Sequence, residues 1–293
     1  MRLHIIQGII LSLIAGTVMN ACTSSNDHDE PPTPAAPTRT VSIVAVDYNP
    51  APGQFVNEMP VYAQDMTPQQ VQEAAMAALL NGRGISLGAF GGYVIIQLGE
   101  TITHRADGKD FKVLGNAFRG SAEPGVVEVS SDGQHWHALA GDDWDKAERN
   151  FTITYHRPID NATPQQYIRW TSDNGYFGWI SRNPGFHTEH SYFPEWIDGQ
   201  STMTFTAIRI PSNWTIETAS GNYFGVARAG YADSYPNSAD ESWLNLANAV
   251  DDAGRKVQID NVNYIKVTTG VINSNIVTGE CSTEVMGIQV PNE

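Results

Sequence analysis

The sequence predicts an all-β protein: a jelly-roll-like antiparallel β-sandwich with one peripheral helix around residues 67–80. Three observations carry this expectation. Short segments rich in Val, Ile, Phe and Tyr recur at a period of two residues, the spacing of a strand with one buried face. They are interrupted by Gly, Asn, Asp and Pro, and the chain holds 26 Gly and 16 Pro, a composition suited to many turns. Only one segment has the 3.6-residue spacing of an amphipathic helix, which disfavours alternating strand and helix units.

Taken in order, the chain begins with an export signal. Residues 1–21 place Arg2 before an apolar run from Ile9 to Val18 that is too short to span a bilayer. The run closes on small and polar residues immediately before Cys22, which resembles a bacterial lipoprotein signal with Met19 and Asn20 at two of its positions. Cleavage there would leave Cys22 acylated and the protein lipid-anchored to a membrane. Residues 22–39 are polar, contain Pro31, Pro32, Pro34 and Pro37, and read as a Pro-rich flexible tether. Asp27, Asp29 and Glu30 resemble the surface-export signal of Bacteroidota lipoproteins, so the expected address is the outer membrane at the cell surface.

Residues 40–293 show no second linker, charge block or repeat and are expected to form a single domain. Its predicted strands are Thr40–Val46, Gly92–Leu98, Val126–Ser130, Phe151–Tyr155, Met203–Ile210, Tyr223–Ala227 and Tyr264–Thr268. The Asp132-Gly133 pair predicts a hairpin turn, because positive φ costs little there. Thr67 as N-cap, Pro68 at the first helical position and Gln70 two residues later predict the helix, with Val71, Ala74, Ala75, Ala78 and Leu79 on its apolar stripe. Asn81-Gly82 should end it. The glycines of Leu87-Gly-Ala-Phe-Gly-Gly-Tyr93 predict a tight turn entering a strand, since no Lys-Ser or Lys-Thr pair follows to make a phosphate loop.

With 17 Lys plus Arg against 32 Asp plus Glu, the chain carries a formal charge of −15, so nucleic acid is not expected as a partner. There are two cysteines. With Cys22 lipidated, Cys281 has no intrachain partner and should be buried and chemically quiet.

The segments Pro50–Asn57, Ser86–Tyr93, Asp110–Phe118, Ser121–Val126 and Gly230–Asp233 resemble a group of exported surface lipoproteins of gut Bacteroidota. The likeness continues through Tyr264–Thr268 and Ser282–Glu284. The resemblance implies a sandwich of jelly-roll or galactose-binding-like type and a surface address; it implies no particular ligand or reaction.

Aromatic residues crowd the stretch from Tyr167 to Trp214, and the Gly, Asn and Pro among them suggest loops. Such a region can stack on sugar rings while polar groups bond the hydroxyls. Trp179 and Trp196 are the expected exposed platforms, with Arg182, His187 and Glu195 as polar partners. Core filling is the competing reading for each tryptophan. Structural calcium is expected at the oxygen-rich set Asp107, Asp110, Asn116 and Glu123, with Asp233, Asn237, Asp240 and Glu241 as a second acidic region. His135 with His137, and His187 with His190, have spacings that a transition metal could use, but neither pair shows a third ligand.

There is no GxSxG, HExxH or CxxC motif. The expected function is therefore non-catalytic capture of a glycan or other small nutrient, with an outer-membrane transporter as partner. An adhesin or structural surface protein binding a protein partner is the alternative. A glycoside hydrolase ranks below both, with Asp173, Glu189, Glu195 and Asp198 as the available carboxylates.

Overall fold

The computed structural model describes residues 37–185, 191–197, 199–216 and 223–292. The segment expected to be an export signal, Cys22 and nearly all of the expected tether lie outside these residues. Residues from Ala36 onward form one compact unit. Its strands pair antiparallel throughout the described residues, and Pro68–Leu80 is its α-helix.

The largest sheet has six strands, from edge to edge Ala249–Val250, His137–Leu139, Gly125–Ser130, Asn261–Thr269, Tyr93–Thr103 and Ile43–Asn49. Its strand Asn261–Thr269 is paired on both sides, opposing Ile265 to Ile96 and to Val129. Alternation decides which face is buried: Val94, Ile96, Leu98 and Ile102 point into the core while their neighbours do not. The period-two reading of these segments is realised: Tyr93–Thr103, Gly125–Ser130 and Asn261–Thr269 run one to four residues longer than expected, because backbone pairing continues past the last buried side chain, and Ile43–Asn49 keeps the expected length three residues later in the chain.

The helix begins as expected, with Thr67 and Gln70 forming a capping box and Val71, Ala75, Ala78 and Leu79 buried. It packs near the edge strand Ile43–Asn49 through a contact that periodicity does not reveal. The Tyr48 amide donates to Gln72 Oε1 at 2.7 Å, and Gln72 Nε2 donates to the Tyr48 carbonyl at 2.7 Å. The Gln72 side chain thus pairs with the strand as another strand would, covering part of an open edge.

A second sheet of four strands runs Phe177–Ile180, Ile168–Ser172, Glu148–His156 and Thr202–Arg209. One face buries Phe151, Ile153, Tyr155, Ile168, Ile180, Met203 and Phe205 in a second core with Phe90, Tyr192 and Phe193. The other face is polar; Thr152 pairs with Thr206 and Thr154 with Thr204 through their hydroxyls at 3.0 and 2.9 Å. Much of the aromatic stretch expected as loops is therefore a hairpin. Its turn is Asp173-Asn174-Gly175, with Gly175 at φ +88°, and Ile168, Trp170 and Ile180 share the core face while Trp179, opposite Arg169, lies on the other.

Thr38–Thr40 pairs with Gly287–Pro291, so the first and last strands among the described residues lie side by side. The glycine turn is present: Gly88 and Gly91 have φ of +67° and +89°, and a Cβ on Gly88 would stand 2.0 Å from the Ala51 carbonyl oxygen. Cys281 is fully buried in the third apolar cluster beside Val126, Ile210, Tyr231 and Val271.

Replacing Gln72 with Ala leaves the Tyr48 amide and carbonyl without their partner, and should lower unfolding free energy by about 1–3 kcal/mol. Chemical denaturation would measure this, with an unchanged m-value showing that the fold persists.

Candidate functional site

A cleft of about 450 Å³ opens between four parts of the chain: Gln54 and Phe55, the segment from Asn116 to Glu123, Trp214 with Gly225, and Val277 to Glu280. Asn183 completes its polar rim. Local geometry explains each wall. Ser121 N donates to the Phe118 carbonyl at 2.9 Å, closing a tight turn that leaves Phe118 66% exposed at the mouth. Gly120 lies in that turn at φ +91°, where a Cβ would stand 2.5 Å from the Phe224 ring. Gly225 N then donates to the Gly120 carbonyl at 2.9 Å and ties the turn to the strand that follows Trp214.

Glu280 forms part of the cleft floor. Gln54 N donates to its Oε1 at 2.6 Å, while its Oε2 is buried without a hydrogen-bond partner. Gly53 permits this approach, since a Cβ there would lie 2.6 Å from the same Oε1. Burial pushes the Glu280 carboxyl up to about 7.

Behind the wall lies a group of three carboxylates. Glu123, Asp233 and Glu284 each offer an oxygen, and these oxygens lie within 4.8 Å of one another; among the described residues no other His, Cys, Asp or Glu trio is so arranged. Asp233 is buried at φ +50°, a left-handed conformation that Asp tolerates better than most residues. Its Oδ1 accepts from Asn116 N and Ala117 N at 2.8 and 2.9 Å, and its Oδ2 from Glu284 N at 2.9 Å. Gly115 makes room, because a Cβ there would lie 2.2 Å from Asp233 Oδ1. Glu123 Oε1 accepts from Ser282 N at 3.0 Å. Glu284 Oε1 accepts from the Ser282 hydroxyl at 3.0 Å, and its Oε2 is buried with no partner.

No ion pair among the described residues includes Glu123, Asp233, Glu280 or Glu284. Burial is the main force on each. It raises Glu123 to about 8, with the Asp233 charge adding to the effect. Asp233 rises to about 6, restrained by its backbone donors, and Glu284 rises well above the carboxylate range, with the charges of Glu123 and Asp233 adding. A site of this kind must either keep protons at neutral pH or hold a cation, and its oxygen donors are able to coordinate a metal ion.

The structure redistributes the residues expected from sequence. Trp196 is corrected from an exposed platform to a core residue: it is 9% exposed and packs against Tyr48 and Tyr62, with ring centroids 6.3 and 5.7 Å away. Trp179 is half-buried and meets Phe177 edge-on at 5.7 Å; it borders a smaller pocket of about 170 Å³ that also reaches Glu280. Arg182 lies over the Tyr167 ring at 5.0 Å. Glu195 is exposed and accepts from Ser191 N at 3.3 Å. Neither tryptophan nor these two polar residues line the larger cleft. His187, His190, Glu189 and Asp198 lie outside the described residues.

The proposed calcium set also divides. Asp107 is exposed and holds the Arg105 guanidinium at 3.2 Å. The buried Asp110 accepts from Arg105 N and Leu246 N, both at 2.6 Å, and contacts His104 Nδ1 at 2.9 Å. Asn116 lines the cleft and meets Asp233 through its backbone, so only Glu123 of the four belongs to the carboxylate trio. From the second acidic region, Asp233 joins it, while Asp240 pairs with Lys109 at 2.8 Å and Asn237 bonds the Gly115 backbone. His135 pairs with Asp132 at 2.7 Å instead of converging with His137.

Glu280 and Glu284 are the site residues not singled out from sequence. Their signal was faint but present: no Lys or Arg occurs after Lys266, so the three acids that follow it, Glu280, Glu284 and Glu293, have no cation near them in sequence. No family model matches the chain, and no curated protein matches it significantly.

The raised carboxyls fix a pH dependence for the protein freed of divalent ions. Glu123, Glu280 and Asp233 bind protons more tightly folded than unfolded, so the stability they contribute is fully present only below their ordinary values of 4.5, 4.5 and 3.8 and is lost as pH rises through their folded values of about 8, 7 and 6. Melting temperature measured in chelator should decline across that window, and Glu280→Gln should flatten the decline.

Proposed function

We propose that this protein is a non-catalytic binding lipoprotein of the bacterial cell surface that captures a glycan or another small polyhydroxylated nutrient in the cleft. The observation that carries this reading is the lining itself: Phe55, Phe118 and Trp214 supply apolar ring surface and Asn116 supplies a side-chain amide, while the amides of Gln54 and Asn183 hold the rim by donating to the carbonyls of Thr278, Glu280 and Val277. Rings stack on the C–H faces of sugars, and amides donate to and accept from neighbouring hydroxyls. The lipoprotein-like leader ending at Cys22, the Pro-rich tether, and the segments resembling exported Bacteroidota surface proteins support the surface address and the outer-membrane transporter as partner. A jelly-roll-like closure of the antiparallel sheets is the fold that fits this reading, and calcium is the ion that fits the carboxylate trio.

Binding is expected to centre on the cleft and not on Trp179 or Trp196. On a panel of plant, host and microbial glycans, the protein should give a saturable hit with no release of reducing ends. Phe118→Ala and Trp214→Ala should each weaken that hit about tenfold or more, the order expected when an aromatic anchor is removed. Retained affinity in both folded variants would move the site elsewhere; saturable binding of a protein in place of any glycan would favour the adhesin reading.

A further inference from the structure

We propose that a calcium ion held by Glu123, Asp233 and Glu284 fixes one wall of the cleft, so that cation binding and ligand binding favour one another. The inference rests on the cleft being the ligand site, and it assigns that site its regulation.

Two independent observations point to a cation. The three carboxylates converge within 4.8 Å with no cationic side chain paired to them among the described residues. Glu284 is 1% exposed, and its Oε2 has no hydrogen-bond partner. Buried polar atoms are rarely left unpaired, and a carboxylate oxygen with no donor beside two other carboxyls is satisfied either by a proton shared with Glu123 or Asp233 or by a cation. The donor set is all oxygen, which selects a hard ion. Calcium accepts six to eight oxygens in irregular geometry, whereas magnesium demands a near-octahedral shell and keeps several waters, which a trio with Asp233 and Glu284 buried accommodates poorly.

The connection to the cleft runs through the backbone. Asp233 receives the amides of Asn116 and Ala117, and its carbonyl accepts from Glu123 N at 2.9 Å. Thr283 donates through its hydroxyl to the Glu123 carbonyl at 2.9 Å. The same segment carries Asn116, Phe118, Ser121 and Ala122 on the cleft side. Without an ion the trio avoids repulsion only by keeping protons, and as those protons leave, the ionised acids repel one another and loosen this wall; an ion that draws them together holds it in place. A ligand that contacts the ordered wall then binds more tightly, and linkage requires it to tighten the ion equally.

The test begins with the purified protein stripped by chelator and titrated with CaCl2 alone to about 5 mM, above the dissociation constants usual for extracellular calcium modules. Calorimetry should show saturable binding, melting temperature should rise by about 4 °C or more at saturation, and amide exchange should slow across residues 115–125. Glu284→Gln should abolish all three responses, while Asp107→Asn, at an exposed acid outside the trio, should retain them. No saturable binding, or an intact response in E284Q, overturns the site. An equal response to MgCl2 overturns the choice of calcium. A melting shift with unchanged exchange in 115–125 overturns the link to the cleft, as would equal affinity for a panel-identified glycan in CaCl2 and in chelator, where about a tenfold difference is expected. These ion readouts need no sugar, so failure of the binding-protein reading would appear separately, as an intact calcium response with no glycan bound.

Discussion

The carboxylate of Asp233 organises the part of the molecule where function is proposed. It is a buried acid in a left-handed backbone conformation, and it gathers three amides from two remote segments: Asn116 and Ala117 on one, Glu284 on the other. Each charge-assisted bond offsets part of the cost of removing the acid from water, and together they decide where the cleft wall and the C-terminal segment meet. Gly115 and the cluster at Ser282 follow from that meeting: the first must lack a Cβ, and the second must turn its amide to Glu123.

The same arrangement concentrates negative charge where a stable core would avoid it. Glu123 and Glu284 sit beside Asp233 and Glu280 lines the cleft near Glu123, none of them in an ion pair among the described residues, and one oxygen each of Glu280 and Glu284 lacks a hydrogen-bond donor. A core built for stability alone would replace such groups with apolar ones at little cost or at a gain. Their presence beside a cleft accords with a site whose ionisation or occupancy matters, since strongly perturbed carboxyls gather at functional positions. The two apolar cores, by contrast, obey ordinary rules. The six-stranded sheet and the helix close one, the four-stranded sheet closes the other, and each buries alternate residues of its strands.

Aromatic side chains divide between these two demands. Trp196 and Tyr48 fill the first core, and Tyr155 fills the second with its hydroxyl donating to the Phe90 carbonyl at 2.8 Å. Phe118 and Trp214 are placed instead at the cleft. Nothing in local composition separates the groups: Trp196 follows Pro194 and Glu195 much as Trp214 follows Ser212 and Asn213. Which side of a strand or turn faces the core is decided by pairing with remote residues.

Much of the fold was legible in the chain. Alternation within Tyr93–Thr103 and Asn261–Thr269, the capping box at Thr67, and the glycines at Gly88 and Gly91 are local signals, because they depend on side chains a few residues apart. The hairpin from Ile168 to Ile180 was obscured by its aromatic and polar content, which reads as loop when cross-strand partners are unknown. The site was legible only in fragments. Sequence alone determined that Glu123 and Asp233 are acids in turn-rich segments and that the end of the chain lacks cations. Tertiary structure decided that Glu123, Asp233 and Glu284 share one buried place, that Glu280 faces a cleft, and that Asp107 and Asp110 do not join them. The physical reason is range: strand and cap signals act within a few residues, whereas a carboxylate's neighbours are set by sheet pairing across more than a hundred.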